Sequence, residues 1–457
     1  MTPSSIPLPP TSASRRVFLL ALLAWTVVAT GVSTGSLLAA PDRVDIQSTT
    51  DELADLLENN YVFPEIGELY ATHLRKRVAE GAYDTTATAE ELAAQLETEL
   101  NAVHEDAHLR VAAIGPADET GPRDGRRLGM PQGRALAGAR WIADEIAYVA
   151  VTLLPGDEAS QQEMADFLSE YQAARALILD LRGCPGGTLP VMDVLFSHLY
   201  AKRTHLVTMD TRVEAERRNG AIFSDLPSLT RETAPDGLVR RYHWAVPKAP
   251  ESPWADTPVY VLTGSTGSAC EHLAMALKVS GRAMLVGSAT GGAGHYGGVQ
   301  QFGGGRFEVF VPVGRTFDPH TGQDWEGTGV TPHLETPAED ALDRALAELG
   351  VEREASPAVE DADGYVGLYG NRRITLEGGT LYLQRVDVQS EGEQAGRRSR
   401  RVAPKLELRS LGEDQFELPR VPGAKVRFER DEAGRVVKIA VQQRDGSWEE
   451  APRSSGD

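Results

Sequence analysis

Between Val44 and His104, leucines recur at helical spacing. Leu53, Leu56 and Leu57 build one apolar stripe, and Leu92, Leu96 and Leu100 build a second. Thr88 followed by Ala89-Glu90-Glu91 supplies a helix start: a capping hydroxyl, then acids that favour the positive end of the helix dipole. From Leu136 the period changes. Ile146–Val151 is a short β-rich run, and Ala176–Leu181 is almost continuously apolar, as expected of a strand covered on both faces. Helical patterns at Ala159–Tyr171, Val191–Tyr200 and Ala269–Lys278 alternate with strand patterns at Val259–Leu262 and Ala283–Val286. This alternation predicts an α/β fold, a mostly parallel sheet with flanking helices.

Other stretches fall outside that frame. Residues 202–257 are polar and irregular and read as an insertion or lid over the sheet. Residues 297–313 read as a hairpin turning at Gly303-Gly304-Gly305, and a final helix is expected at Ala338–Leu349. After the acidic linker Glu352–Asp363, short β-runs recur, among them Leu381-Tyr382-Leu383, Phe416-Glu417-Leu418 and Val426-Arg427-Phe428. They predict a small antiparallel β-domain. The expected organisation is an N-terminal segment 1–40, a helical subdomain 44–115, an α/β domain 135–350, a linker 351–363 and the β-domain 364–450.

The N-terminal segment has the make-up of an export signal. Ser14-Arg15-Arg16-Val17-Phe18-Leu19 precedes an apolar run and then small residues through Ala39-Ala40, and the paired arginines suggest the twin-arginine type. No clean Ala-x-Ala site follows, so an uncleaved anchor is the alternative, and membrane association is expected only through this segment. The expected location is the periplasm, cell envelope or exterior. A net charge of −20 argues against nucleic acid as a partner. The two cysteines, Cys184 and Cys270, lack metal-ligand spacing. They either pair or pack as two small buried residues. No metal or nucleotide motif is visible, so no cofactor is expected.

Four segments carry candidate chemistry. Thr266-Gly267-Ser268-Ala269-Cys270-Glu271 places the Ser268 hydroxyl where a helix begins, among unpaired N–H groups that favour negative charge. A serine nucleophile and part of its oxyanion hole belong at such a place, although serine and glycine also cap helices without any catalytic role. Asp106-Ala107-His108 contributes an imidazole suited to shuttling protons near neutral pH. Asp180-Leu181-Arg182-Gly183-Cys184-Pro185-Gly186-Gly187 follows a buried strand, and its paired glycines let backbone N–H groups approach a ligand. Trp325-Glu326-Gly327 adds a carboxylate on a glycine-flanked loop.

In this order the segments resemble the serine peptidase superfamily of the C-terminal processing peptidases, the tricorn core protease and interphotoreceptor retinoid-binding protein. Asn60-Tyr61-Val62-Phe63-Pro64, Asp106-Ala107-His108-Leu109, Asp180-Leu181-Arg182-Gly183, Ser268-Ala269-Cys270-Glu271, Gly291-Gly292-Ala293 and Glu326-Gly327-Thr328-Gly329-Val330 carry the likeness, over about residues 45–350. It implies a crotonase-like ββα core and cleavage of a peptide or protein substrate by acyl transfer. Ser268 would be the nucleophile, His108 the base and Glu326 the assisting acid, with Gly186, Gly187 and Ala269 as oxyanion donors. His295 is the second candidate for the base. The processing branch uses a lysine base after the nucleophile's helix. Val286-Gly287-Ser288-Ala289-Thr290-Gly291 has none there, which favours the retinoid-binding-protein-like branch. Ala107 stands where that branch has serine, and Cys184 where asparagine is usual. These departures keep open a catalytically inactive homologue that binds an apolar ligand or peptide in the same cleft.

Overall fold

The structure, a computed structural model, describes residues 45–454 apart from 85, 87, 116–132, 221–222, 224–225, 250, 352–358, 360, 378, 387–405, 419–423 and 444–445. The export segment expected at 1–40 lies outside the described residues, as does much of the acidic linker. No helix among the described residues is long and apolar enough to cross a membrane.

Three helices come first: α1 (Ile46–Asn60), α2 (Pro64–Ala79) and α3 (Ala89–Val103). Each begins for a local reason. The Asp45 carboxylate accepts from Ser48 N–H, Pro64 presets the first turn of α2, and Thr88 and Glu91 form a reciprocal capping box. The leucine stripes face inward, with Leu53, Leu57, Leu96 and Leu100 all at 0% exposure.

β1 (Arg110–Ala113), β2 (Leu136–Ala143), β3 (Ile146–Val151), α4 (Glu158–Glu170), β4 (Ala176–Asp180) and α5 (Pro190–Leu199) come next. They are followed by β5 (Thr204–Arg212), α6 (Val213–Asn219), β6 (Leu229–Glu232), β7 (Leu238–Ala245), β8 (Val259–Thr263) and α7 (Ala269–Val279). β9 (Met284–Gly287), β10 (His295–Phe302), β11 (Phe307–Phe317), β12 (Leu334–Glu335) and α8 (Ala341–Glu348) then lead toward the C-terminal strands.

The strands form two sheets. The first runs β12-β9-β8-β4-β3-β2, parallel throughout except for β2 at its edge. Val149, Leu177, Leu179 and Val261 pack with Phe167, Phe196 and Leu273 of the helices, while Tyr148, Ile178 and Leu262 pack with Leu342 and Leu346 of α8. Both faces are covered, which is why β3 and β4 read as unbroken apolar runs.

The second sheet is antiparallel, ordered β1-β11-β5-β7-β6 with β10 also on β11. It corrects the expectation for 202–257, which is built of strands and a helix rather than being irregular. In β7 the inward positions are Val239, Arg241, His243 and Ala245. Two of these four are polar, and they stay buried because Arg241 pairs with Glu216 and His243 with Asp193. Paired polar groups at core positions hide the two-residue alternation from a hydropathy reading. The helices α1–α3 pack on this sheet through Phe302, Phe307, Val309 and Val311.

An eight-stranded antiparallel sheet between Gly367 and Pro452 closes the chain around Tyr369, Ile374, Phe416, Phe428 and Ile439.

Candidate active site

β4 and β8 are parallel neighbours, so the loops leaving their carboxyl ends emerge side by side. After β8 the chain turns through Gly264–Gly267 into α7. Ser268 caps that helix with φ 49° and ψ −124°, a conformation a non-glycine residue holds only when its surroundings impose it. The imposing contacts are specific. Thr266 Oγ1 donates to Leu181 O at 2.8 Å, Gly267 N–H donates to Cys184 O at 2.9 Å, and Ser268 N–H donates to Glu271 Oε2 at 2.8 Å. Cys184 and Cys270 are joined by a disulfide with Cα atoms 6.1 Å apart, which ties the loop after β4 to the first turn of α7.

Gly186 and Gly187 lie directly against this turn. Their φ angles are 126° and 140°, in a region glycine alone occupies readily. A Cβ on Gly186 would stand 2.7 Å from Ser268 Cβ, and one on Gly187 would stand 2.0 Å from Leu154 O. Among the described residues, neither Gly187 N–H nor Ala269 N–H donates to a protein acceptor. Ala269 opens α7, so its N–H is one of the donors a helix leaves unpaired.

His108 arrives from the turn between α3 and β1. Its Nε2 lies 3.1 Å from Ser268 Oγ, and its ring stacks on Phe310 at 5.4 Å between centroids. Burial lowers its pKa to about 4, a shift only partly opposed by nearby Asp106, so the ring is a free base at neutral pH. Its Nδ1 is buried with no partner among the described residues.

The carboxylates act on the backbone around this imidazole. Asp106 Oδ1 accepts from His108 N–H at 2.8 Å, and its Oδ2 accepts from Tyr61 Oη and from His295 Nδ1, each at 2.7 Å. Burial would raise Asp106, yet the bonds from His295 and Tyr61 outweigh it and hold the carboxyl below its ordinary value. Burial would likewise lower His295, and Asp106 more than compensates, leaving that imidazole above its usual range. Glu326 Oε1 accepts from Ala107 N–H at 2.8 Å; its Oε2 accepts from Gly294 and His295 N–H at 2.6 and 2.9 Å. Burial raises the Glu326 pKa.

Asp106, His295 and Glu326 bring ligand-type atoms within 4.8 Å of one another. The carboxylate oxygens of Asp106 and Glu326 already accept from the six N–H and O–H donors just described, so the cluster reads as a hydrogen-bond network, with His295 Nε2 left buried without a partner among the described residues. A cleft of about 1020 Å³, lined by Asp106, Ala107, Gly292, His295 and Glu326, opens beside it.

A sequence profile of peptidase family S41 matches residues 145–336, and that of the N-terminal domain of peptidase S41 in eukaryotic IRBP matches 42–133. Together they span more than half of the chain. The chain belongs to peptidase family S41. It is therefore a serine-type peptidase acting on peptides or proteins. Similar solved structures include the photosystem II D1 C-terminal processing protease, at 17% identity over 67% of this chain and 98% of that one, with a TM-score of 0.42. A lipoprotein from Streptococcus agalactiae matches at 16% identity over 67% and 96%, TM-score 0.42. The tricorn protease matches at 12% over 66% and 37%, TM-score 0.37.

Within this S41 peptidase, the structure brings Ser268, His108, Gly186, Gly187 and Ala269 together. Glu326 touches the residue before His108 rather than its ring. His295 bonds Asp106, not Ser268. Lys278 points elsewhere and donates to Thr331 O at 2.7 Å. Three contributors escaped the sequence reading. Asp106 had a signal, its position two residues before His108. Glu271 accepts from Ser268, Gly292 and Ala293 N–H and from Thr290 Oγ1. Its signal was the Ser-x-x-Glu spacing of a capping box. His272 sits one helical turn after Ser268, on the same face of α7.

Proposed function

We propose that Ser268 is the nucleophile of this peptidase and His108 its general base. The 3.1 Å separation of His108 Nε2 and Ser268 Oγ carries the reading. Ser268 Oγ attacks the carbonyl carbon of a peptide bond while its proton passes to His108 Nε2. The tetrahedral oxyanion takes hydrogen bonds from Ala269 N–H and the Gly186-Gly187 backbone. Collapse expels the amine with the proton from His108, and water, deprotonated by the same ring, releases the acyl group. Asp106 and Glu326 are positioning residues: one holds the His108 N–H, the other the Ala107 N–H.

The imposed backbone of Ser268 supports this assignment. A structural cap needs no partner beyond its own helix, whereas this hydroxyl also bonds an imidazole from 160 residues away. The test is hydrolysis of denatured casein. Wild-type protein should cleave it, and Ser268→Ala and His108→Ala should each abolish cleavage while melting normally. Peptide binding without hydrolysis by the wild type would instead favour an inactive binding homologue.

We propose further that the protein works outside the cytoplasm. The Arg15-Arg16 export pattern supports this, and so does the buried Cys184–Cys270 disulfide, a bond that persists in oxidising compartments. Isolating the mature protein and sequencing its N-terminus tests it.

A further inference from the structure

Behind Ser268 lies a small cavity of about 50 Å³, lined by Gly187, Met209, Phe223, Ser268, His272 and Trp325. It has room for about three or four water-sized groups. Its walls are largely apolar. Polar groups come from Thr188, His295, Tyr296 and Thr316, and from His272 on α7, a residue 4% exposed; Trp325 Nε1 and His295 Nε2 are buried without a partner among the described residues.

His272 ends a buried chain of hydrogen bonds. Ser228 Oγ donates to Asp193 Oδ2 at 2.7 Å, and Asp193 Oδ1 lies 2.7 Å from His243 Nε2. His243 Nδ1 in turn lies 2.8 Å from His272 Nε2. A carboxylate only accepts, so His243 carries a proton on Nε2. The bond to His243 occupies Nε2 of His272 and leaves the other ring nitrogen, His272 Nδ1, bare. It is the one ring nitrogen of the pair with no protein partner among the described residues.

Building on the peptidase reading above, we infer that this cavity receives the substrate side chain on the acyl side of the scissile bond. It selects small residues bearing a hydroxyl, serine and threonine, because a hydroxyl can donate to or accept from His272 Nδ1. The size excludes large side chains. Valine has the shape of threonine but leaves a desolvated ring nitrogen unpaired, and sites built around such a group discriminate strongly against the analogue lacking it. Asp193 and His243 act at a distance, by fixing which His272 nitrogen is bare.

The experiment is digestion of a proteome-derived peptide library, with cleavage sites read by mass spectrometry. Follow-up uses matched peptides differing only as Thr, Val, Ser or Ala at the acyl-side position. Threonine should exceed valine, and serine alanine, by about 10-fold in kcat/KM. His272→Phe, which keeps a ring but no acceptor, should bring both ratios to about one while valine peptides are still cleaved. Asp193→Asn, at the outer end of the relay, should reduce the same ratios and supplies the test should His272→Phe not fold. Equal threonine and valine rates in the wild type overturn the proposal, as does a preference unchanged in His272→Phe. Absence of cleavage anywhere in the library overturns the peptidase reading itself, and the subsite with it.

Discussion

Gly187→Ala is the sharpest single perturbation of the proposed oxyanion hole. The added Cβ would stand 2.0 Å from Leu154 O and 2.5 Å from Leu154 C, where real Cβ contacts stay beyond 3.0 Å, so the backbone must yield by about 1 Å. It has little freedom to do so elsewhere. Leu154 N–H donates to Gly186 O at 2.9 Å, Thr188 N–H donates to Leu154 O at 2.6 Å, and Cys184 is fixed by the disulfide. The shift therefore falls on the Gly186-Gly187 backbone beside Ser268. Losing one oxyanion donor costs about 100- to 1,000-fold in kcat, equivalent to about 2.7–4 kcal/mol of barrier. The assay is kcat and KM on a mapped peptide substrate, with thermal melting to verify the fold. Gly220→Ala is the control: it also has positive φ, 81°, but nothing within 4 Å of the new Cβ. It should keep full kcat. If folded Gly187→Ala retained kcat within about threefold of wild type, the assignment of this loop to the oxyanion would be refuted.

Three further outcomes follow from the same geometry. His108 serves as base only when neutral, and burial lowers its pKa from 6.5 to about 4. Activity lost to protonation of the base should thus fall away near pH 4, and an acid limb in kcat/KM at the ordinary 6.5 would contradict it. The sign for stability agrees: the unfolded ring binds a proton below 6.5 that the folded one refuses, so stability declines as pH drops from 6.5 toward 4. Replacing both Cys184 and Cys270 by serine releases a constraint across 86 residues. In the chain-entropy account this lowers stability by up to about 4.6 kcal/mol, seen as a reduced urea midpoint that an unchanged midpoint would rule out. Glu326→Gln keeps size but presents an NH2 to N–H groups that now find oxygen. One orphaned N–H costs about 1–3 kcal/mol, so both melting temperature and kcat should drop. A variant equal to wild type in both would show that the carboxylate does not hold the Ala107-His108 backbone.

The elements legible in the sequence were those whose burial agrees with their period. Ile146–Val151 and Ala176–Asp180 read as strands because both faces are covered, and Thr88 marked a helix start because its capping box is entirely local. β5 to β7 were not legible, because Asp210, Arg241 and His243 sit at buried positions that only their distant partners make tolerable. The site divides in the same way. Ser268 and the Gly186-Gly187 pair could be read from turn and helix chemistry next to a strand end. The joining of His108 to Ser268, and of Asp106 to His295, depends on tertiary contacts across 160 and 189 residues. Whether the cysteines pair could not be read at all, since it needs the 6.1 Å Cα separation that only the folded loops provide.

The account rests on proton transfer from Ser268 to His108. The most direct measurement is the rate at which a fluorophosphonate modifies the protein at pH 7, followed by intact mass and peptide mapping. The wild type should be labelled on Ser268 alone, Ser268→Ala not at all, and folded His108→Ala at least about 100-fold more slowly. Labelling of His108→Ala at the wild-type rate, or modification at a residue other than Ser268, would contradict it.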